Sequence, residues 1–278
     1  MEDGIEFSPE RPMIMGVVNV TPDSFSDGGR FVDRQAALAH GLKLAEDGAD
    51  ILDIGGESTR PGADPVSLEE ERARIMPVVE GLAKACDVAL SIDTRKAPIA
   101  RAAVAAGASI WNDVSALTYA EESMHAAAAL SCDIVLMHAQ GDPKTMQENP
   151  SYGDVVQEVM DFLSARIEAC LAAGMDRARL IVDPGIGFGK ALEHNLALLA
   201  GLDQLTRLNC PVLLGASRKR FIAALDRERP AEGRLGGSLA AALAGWRAGA
   251  HILRVHDVAA TRQALKVAEA IENARVPR

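Results

Sequence analysis

Aromatic residues make up only 4% of the 278 positions, too few for the stacking platforms on which single-strand-binding proteins lay their bases. A basic surplus is also lacking. The 29 Lys and Arg against 39 Asp and Glu leave a formal charge of −10, which argues against nucleic acid as the main partner because phosphate neutralisation needs a basic face. Cysteine is scarce: Cys86, Cys132, Cys170 and Cys210 lie far apart, with no C-x-x-C pair and no His at zinc-ligand spacing, so they read as buried, reduced thiols. Apolar runs such as Ala126 to Leu130 or Pro211 to Leu214 are too short to span a bilayer. The acidic first residues carry no basic segment followed by an apolar stretch, so no secretion signal is read and the cytoplasm is the expected location.

Core material, in contrast, is plentiful. With 48% hydrophobic and 24% charged residues the chain is globular, which excludes disorder, collagen-like repeats and small disulfide scaffolds. Apolar strand-like runs alternate with Ala-rich amphipathic stretches from end to end. The expected strands are Met13 to Val20, Asp50 to Ile54, Val88 to Ile92, Ser109 to Asn112, Asp133 to His138, Leu180 to Asp183, Pro211 to Gly215 and His251 to Val255. The helical period runs over Gln35 to Asp47, Leu68 to Ala85, Ala97 to Ala106, Tyr119 to Ser131, Tyr152 to Ala173, Ala191 to Thr206, Gly236 to Ala248 and Ala259 to Asn273. Eight β-α units without a low-complexity linker predict a single-domain α/β protein, a (β/α)8 TIM barrel over residues 13–278 behind an N-terminal tail of residues 1–12. A doubly wound open sheet is the competing architecture, because alternation alone does not close a sheet.

The polar residues favour closure. Each strand ends in a side chain able to do chemistry: Asn19; Asp53 with Glu57, Thr59 and Arg60; Asp93; Asn112; His138; Asp183; Ser217 with Lys219; Arg254 with His256. An open sheet concentrates its site at one switch point, whereas a barrel brings every strand end to one mouth. Two carboxylates, Asp93 and Asp183, and the amide of Asn112 suit the donors of a flat, nitrogen-rich ring such as an amino-pyrimidinone. Arg60, Lys219, Arg254 and His256 suit an anion. Phosphate or pyrophosphate with bridging Mg²⁺ is the natural partner, and Asn19 offers the metal a neutral oxygen. The segments Thr21 to Phe31 and Glu57 to Ser67 read as lids.

Plainer readings compete at single positions. Asp23, Ser24 and Asp27 are ordinary turn formers, Asp93 is placed to cap the helix near Ala97, and His138 suits a hydrogen-bonded wall. Gly185, Gly187 and Gly189 resemble a phosphate nest, a weak signal on its own. His40, His125 and His194 sit on helices with no partner pattern and read as surface or packing residues.

In order and spacing, MGVVNVTPDSFSDGG from Met15, DIGGESTRPGA from Asp53, SIDTRK from Ser91, NDV from Asn112, PKTMQ from Pro143, DPGIGFGK from Asp183, GASRK from Gly215 and RVHDV from Arg254 resemble the dihydropteroate synthase family of pterin-binding barrels over almost the whole chain. The resemblance implies a transferase that joins 6-hydroxymethyl-7,8-dihydropterin diphosphate to 4-aminobenzoate and releases pyrophosphate. Carried over at matching positions, Asp93, Asn112, Asp183 and Lys219 form the pterin pocket, Asn19 contacts Mg²⁺, and Arg254 with His256 hold pyrophosphate. Thr59 and Arg60 meet the diphosphate substrate and help to build the aminobenzoate site, with Phe188 as its wall and Ser217 as its carboxylate contact. Asp93, Asp183, Lys219, Arg254 and His256 are the expected catalytic set. The resemblance also implies a homodimer and competition by sulfonamides. The segment Met137 to Asp142 varies the common form, as do Arg220 and Phe221 after GASRK; neither touches a pocket position. Three rival activities remain at this level. They are a methyltetrahydrofolate–corrinoid methyltransferase, which needs no cationic set, a Schiff-base aldolase using Lys219, and a silent relative that scaffolds a partner.

Overall fold

Alternation with period two along each strand decides which side chains enter the barrel and which face the helices. In β1 (Met13–Asn19) Met13 and Met15 point inward, while Ile14 and Val18 join the outer core. In β2 (Ile51–Gly55), Ile51 points inward, with Leu52 and Ile54 outward. The pattern repeats in β4 (Ile110–Asp113), β5 (Asp133–Met137), β6 (Leu180–Asp183), β7 (Leu213–Leu214) and β8 (Ile252–Val255), which contribute Ile110, Val135, Ile181, Leu213 and Ile252 to one interior layer. Every member of that layer is fully buried. At about 1.5–3 kcal/mol per buried aliphatic side chain, the layer is a main source of barrel stability. Phe7 packs against it together with Met13 and with Ala89 of β3 (Ala89–Asp93), so part of the expected tail covers the barrel floor.

The computed structural model describes residues 7–8, 10–21, 29–58, 64–141, 145–228 and 230–274; within 29–33 it describes the backbone alone. All strand pairs are parallel, in the order β6-β5-β4-β3-β2-β1-β8-β7. A parallel bridge between Val182 and Val212, with Val182 N–H donating to Pro211 O at 2.9 Å, joins β6 to the approach of β7 and completes the ring. The (β/α)8 barrel expected from the sequence is therefore closed.

The helices α1 (Gly29–Glu46), α2 (Leu68–Ala85), α3 (Ala97–Ala105), α4 (Glu122–Ala129) and α5 (Val155–Ala172) follow the first five strands. Ser67 Oγ accepts the Glu70 N–H at the start of α2, and Asp154 caps α5 through the N–H groups of Val156 and Gln157. Three departures from the sequence reading have local causes. The helix expected over Ala191 to Thr206 stops at Gly201, giving α6 (Leu192–Ala200) and a 3-10 stretch, Leu202–Leu208. The strand expected over Pro211 to Gly215 contracts to Leu213–Leu214, since Pro211 has no N–H for a ladder. Between β7 and β8 a short α7 (Arg220–Leu225) precedes α8 (Leu235–Arg247), where one helix from Gly236 was expected. The last helix, α9 (Val258–Asn273), packs on α8 and β1. Among the described residues no helix is long and apolar enough to cross a membrane, and all four cysteines are free.

Candidate active site

Register delivers the polar side chains level by level. Asn19 pairs with Gly55, Gly55 with Asp93, and Asp93 with Asn112, so the ends of the first four strands lie on one rung. One inward step below, Asp53 pairs with Ser91. Asp183 ends β6 beside Met137, and Arg254 lies inward on β8 beside Met15. The apolar layer thus gives way to a charged one within a single two-residue step along the strands.

Arg254 ties that layer together. Its Nε donates to Asp53 Oδ2 at 2.6 Å and its Nη2 to Asp93 Oδ2 at 2.8 Å. Asp53, fully buried, also accepts from Ser91 Oγ at 2.6 Å and Asn112 Nδ2 at 3.1 Å. Burial pushes the Asp93 carboxyl up to about 7, with the Arg254 charge opposing the rise and Asp53 adding to it. Burial acts to lower the Arg254 pKa, but Asp53 and Asp93 overcome it and hold the guanidinium protonated. Asp93 therefore serves as an ion-pair partner of Arg254; the capping alternative fails, because α3 has Lys96 at its N-cap with no side-chain cap bond.

Asp183 faces this cluster from β6. Its Oδ1 accepts the Gly185 N–H at 2.7 Å, and burial raises its pKa while that bond and the charges of Lys219, Arg254 and Lys190 oppose the rise. The ammonium of Lys219 lies 3.9 Å from the centre of the Phe188 ring, a cation–π contact, and the site of a Cβ on Gly187 lies 3.1 Å from the lysine stem. Gly185, Gly187 and Gly189 all have positive φ, +66°, +82° and +61°. Their loop is not a phosphate nest: the Gly185 N–H goes to Asp183 and the Gly187 N–H to Asn195 Oδ1 at 2.6 Å. Lys190 turns inward beneath it and meets His138 Nδ1 at 2.9 Å, Phe188 O at 3.0 Å and His138 O at 3.2 Å. His138 is accordingly a hydrogen-bonded wall residue, held neutral because burial and then Lys190 bring its pKa down to about 3. Of the helix histidines, His40 and His125 are exposed, and His194 Nδ1 accepts the Ala191 N–H.

Ser217 and His256 meet at the remaining edge, Oγ to Nδ1 at 3.1 Å. The expectation of a cationic His256 is corrected here. Burial, then Arg254 and Arg218, lower its pKa to about 3, so the imidazole is neutral and offers an N–H rather than a charge. Arg254 differs from expectation as well, since two of its three nitrogens are engaged by carboxylates.

The structure thus brings Asp93, Asn112, Asp183, Phe188, Ser217, Lys219, Arg254 and His256 to the strand ends, with Asn19 on the same rung. Thr59 and Arg60 lie outside the described residues, as do most of the first lid and Pro143 and Lys144. Glu57 turns from the mouth to Arg95 Nη2 at 2.6 Å and Lys96 Nζ, and Lys96 bridges it to the fully buried Glu71. Burial acts to raise the Glu57 pKa, but Lys96 and Arg95 hold it below the usual carboxylate range. Sequence reasoning missed the supporting roles of Ser91, Lys190 and this network. Lys190 carried the one available signal, a cation directly after three closely spaced glycines.

A model of the pterin binding enzyme family matches residues 15–256. A dihydropteroate synthase of Neisseria meningitidis serogroup B is 52% identical over 271 residues, covering 96% of this chain and 95% of the relative. The dihydropteroate synthase of Xanthomonas albilineans, solved with 4-aminobenzoic acid, superposes with a TM-score of 0.90 at 52% identity, covering 97% and 95% of the two chains. That of Yersinia pestis, solved as a sulfonamide drug complex, gives 0.92 at 44% identity and covers 99% of both. With the family pattern spanning the barrel and near-full-length likeness in both sequence and fold, this chain belongs to the pterin-binding enzyme family.

Proposed function

We infer that this chain is a dihydropteroate synthase, a transferase that condenses 6-hydroxymethyl-7,8-dihydropterin diphosphate with 4-aminobenzoate to 7,8-dihydropteroate and pyrophosphate. The observation that carries the site reading is the convergence of Asp93, Asn112 and Asp183 on one barrel mouth, beside an ammonium stacked on Phe188. A ring edge of N–H donors meets acceptors there. A corrinoid methyltransferase or a scaffold would have no use for the cations beside them.

An aromatic amine is a weak nucleophile, and among the described residues the imidazole beside its expected place at Phe188 and Ser217, His256, is a poor base with its pKa lowered to about 3. The C–O bond to pyrophosphate therefore breaks first, the electron pair leaving with pyrophosphate. The amine nitrogen then attacks the exposed methylene carbon, and the ammonium so formed loses its proton to water. Asp93 and Asp183 stabilise the positive charge that develops in the ring. On the leaving side His256 donates an N–H, Arg254 supplies the nitrogen its carboxylates leave over, and Thr59 and Arg60 are assigned to the diphosphate and aminobenzoate.

Mg²⁺ fits this donor set only as a phosphate-borne ion. Among the described residues no three His, Cys, Asp or Glu side chains are grouped to hold a metal. Mg²⁺ commonly keeps its waters and takes one or two protein ligands together with substrate phosphates. Asn19, closing β1, would supply that contact, and the bound ion would neutralise the departing anion.

Sulfonamides, which mimic aminobenzoate, compete for the Phe188–Ser217 wall in this reading. The chain works as a homodimer in the cytoplasm, where its four free cysteines stay reduced. The deciding experiment mixes the pure protein with both substrates and Mg²⁺ and measures pyrophosphate. Release that depends on aminobenzoate is expected. Release of equal size without aminobenzoate, or none at all, refutes the reading. Light scattering checks the dimer.

A further inference from the structure

We propose that Asp53 is a positioning residue that sets the hydrogen-bond polarity of the pocket: it fixes the amide of Asn112 so that an acceptor, not a donor, meets the ring. This rests on the reading that a flat bicycle occupies the mouth, and adds what selects that bicycle.

Asp53 does not itself meet a ligand. It sits fully buried one inward step below Asp93, and its two oxygens already accept from Ser91 Oγ, Asn112 Nδ2 and Arg254 Nε. A carboxylate accepts and does not donate, so the Asn112 atom beside it must be the nitrogen. Turning the amide over would set oxygen against oxygen at a buried site and discard a hydrogen bond to a charged group. The amide is locked. Its other atom, Oδ1, accepts from no described residue and is left for a ligand. Asn112 Oδ1 thereby acts in the same sense as the carboxylates of Asp93 and Asp183, and each of the three strand ends presents an acceptor. Such a rim selects a heterocycle with adjacent N–H groups, as in a 2-amino-pyrimidinone. It discriminates against an analogue with one donor removed, because a buried acceptor would then go unpaired. The Arg254 bond extends the role, since Asp53 anchors the guanidinium that reaches Asp93.

The test uses calorimetric titration of the whole protein with 6-hydroxymethylpterin and with its 2-desamino analogue. Wild type should prefer the pterin. Asp53→Asn frees the amide at position 112 to turn over, and the preference should shrink by about tenfold, the scale of one hydrogen bond to a charged group. Combining Asp53→Asn with Asn112→Asp exchanges donor and acceptor across the same contact and keeps the number of carboxylates. It should bring the preference back to within about threefold of wild type, which mere structural repair would not do. An unchanged preference in Asp53→Asn, or a loss that the exchange leaves unrepaired, overturns the proposal. Should Asp53→Asn not fold, Ser91→Ala loosens the same carboxylate; an undiminished preference there overturns it equally. A wild type that binds neither probe and releases no pyrophosphate refutes the functional reading itself, a result distinct from all of these.

Discussion

Arg254 Nη2 and Asp93 Oδ2 stand 2.8 Å apart although 161 residues separate them in the chain. The contact couples β8 to β3 across the barrel mouth and places a fixed cation against the carboxylate assigned to the ring. Removing either partner should therefore change the chemistry of the other.

Asp93→Asn keeps the shape of the side chain and removes its charge. If the carboxylate stabilises charge that develops only as the C–O bond breaks, kcat falls by about 100-fold or more while the pterin dissociation constant rises by much less. Steady-state kinetics alongside calorimetry checks this. Equal losses in both would contradict the assigned role.

The same residue sets a pH dependence. With its pKa raised to about 7, Asp93 ionises as pH climbs through neutrality, so kcat/KM should rise on an acid limb near pH 7. Arg254→Met removes the charge that opposes the rise, and the limb should move to higher pH; Asp93→Asn should abolish it. The sign for stability is the reverse. A carboxyl whose folded pKa exceeds its unfolded one stabilises fully below the unfolded value near 3.8 and loses that contribution as pH rises through 7. Urea unfolding at pH 5 and pH 8 should show a smaller drop for Asp93→Asn than for wild type.

Lys96 joins Glu57 to Glu71, and Glu71 is fully buried. Lys96→Met leaves Glu71 with the Thr94 hydroxyl alone and should cost about 3–5 kcal/mol in chemical denaturation. Lys43→Met, at a lysine whose side chain is 62% exposed in its pair with Asp47, should leave the unfolding midpoint nearly unchanged. A similar loss in both would remove the distinction.

Gly185 adopts φ +66°, and a Cβ there would overlap the carbonyl oxygen of His138. Gly185→Ala should lower stability by at least about 2–3 kcal/mol and weaken ring binding, because Asp183 accepts the N–H of this same residue. Gly174→Ala shares the positive φ, at +88°, but meets nothing within 4 Å, so backbone strain of about 1 kcal/mol is its whole cost. Thermal unfolding of the pair separates overlap from strain.

Much of this protein was legible in the chain itself. Eight alternating apolar runs dictated the parallel strands, and the side chains ending them, Asn19, Asp93, Asn112, Asp183 and Arg254, named the mouth, because strand ends are local features that pattern and composition reveal. The tertiary structure alone decided how those groups use one another. Asp53 as the anchor of Asn112 and Arg254, Lys190 beneath the Phe188 loop, and Glu57 drawn off to Lys96 all depend on register between strands distant in sequence. The protonation states follow the same division. Residue type says that His256 and Lys219 can carry charge, but burial and neighbours leave His256 neutral, and only the packed barrel supplies those.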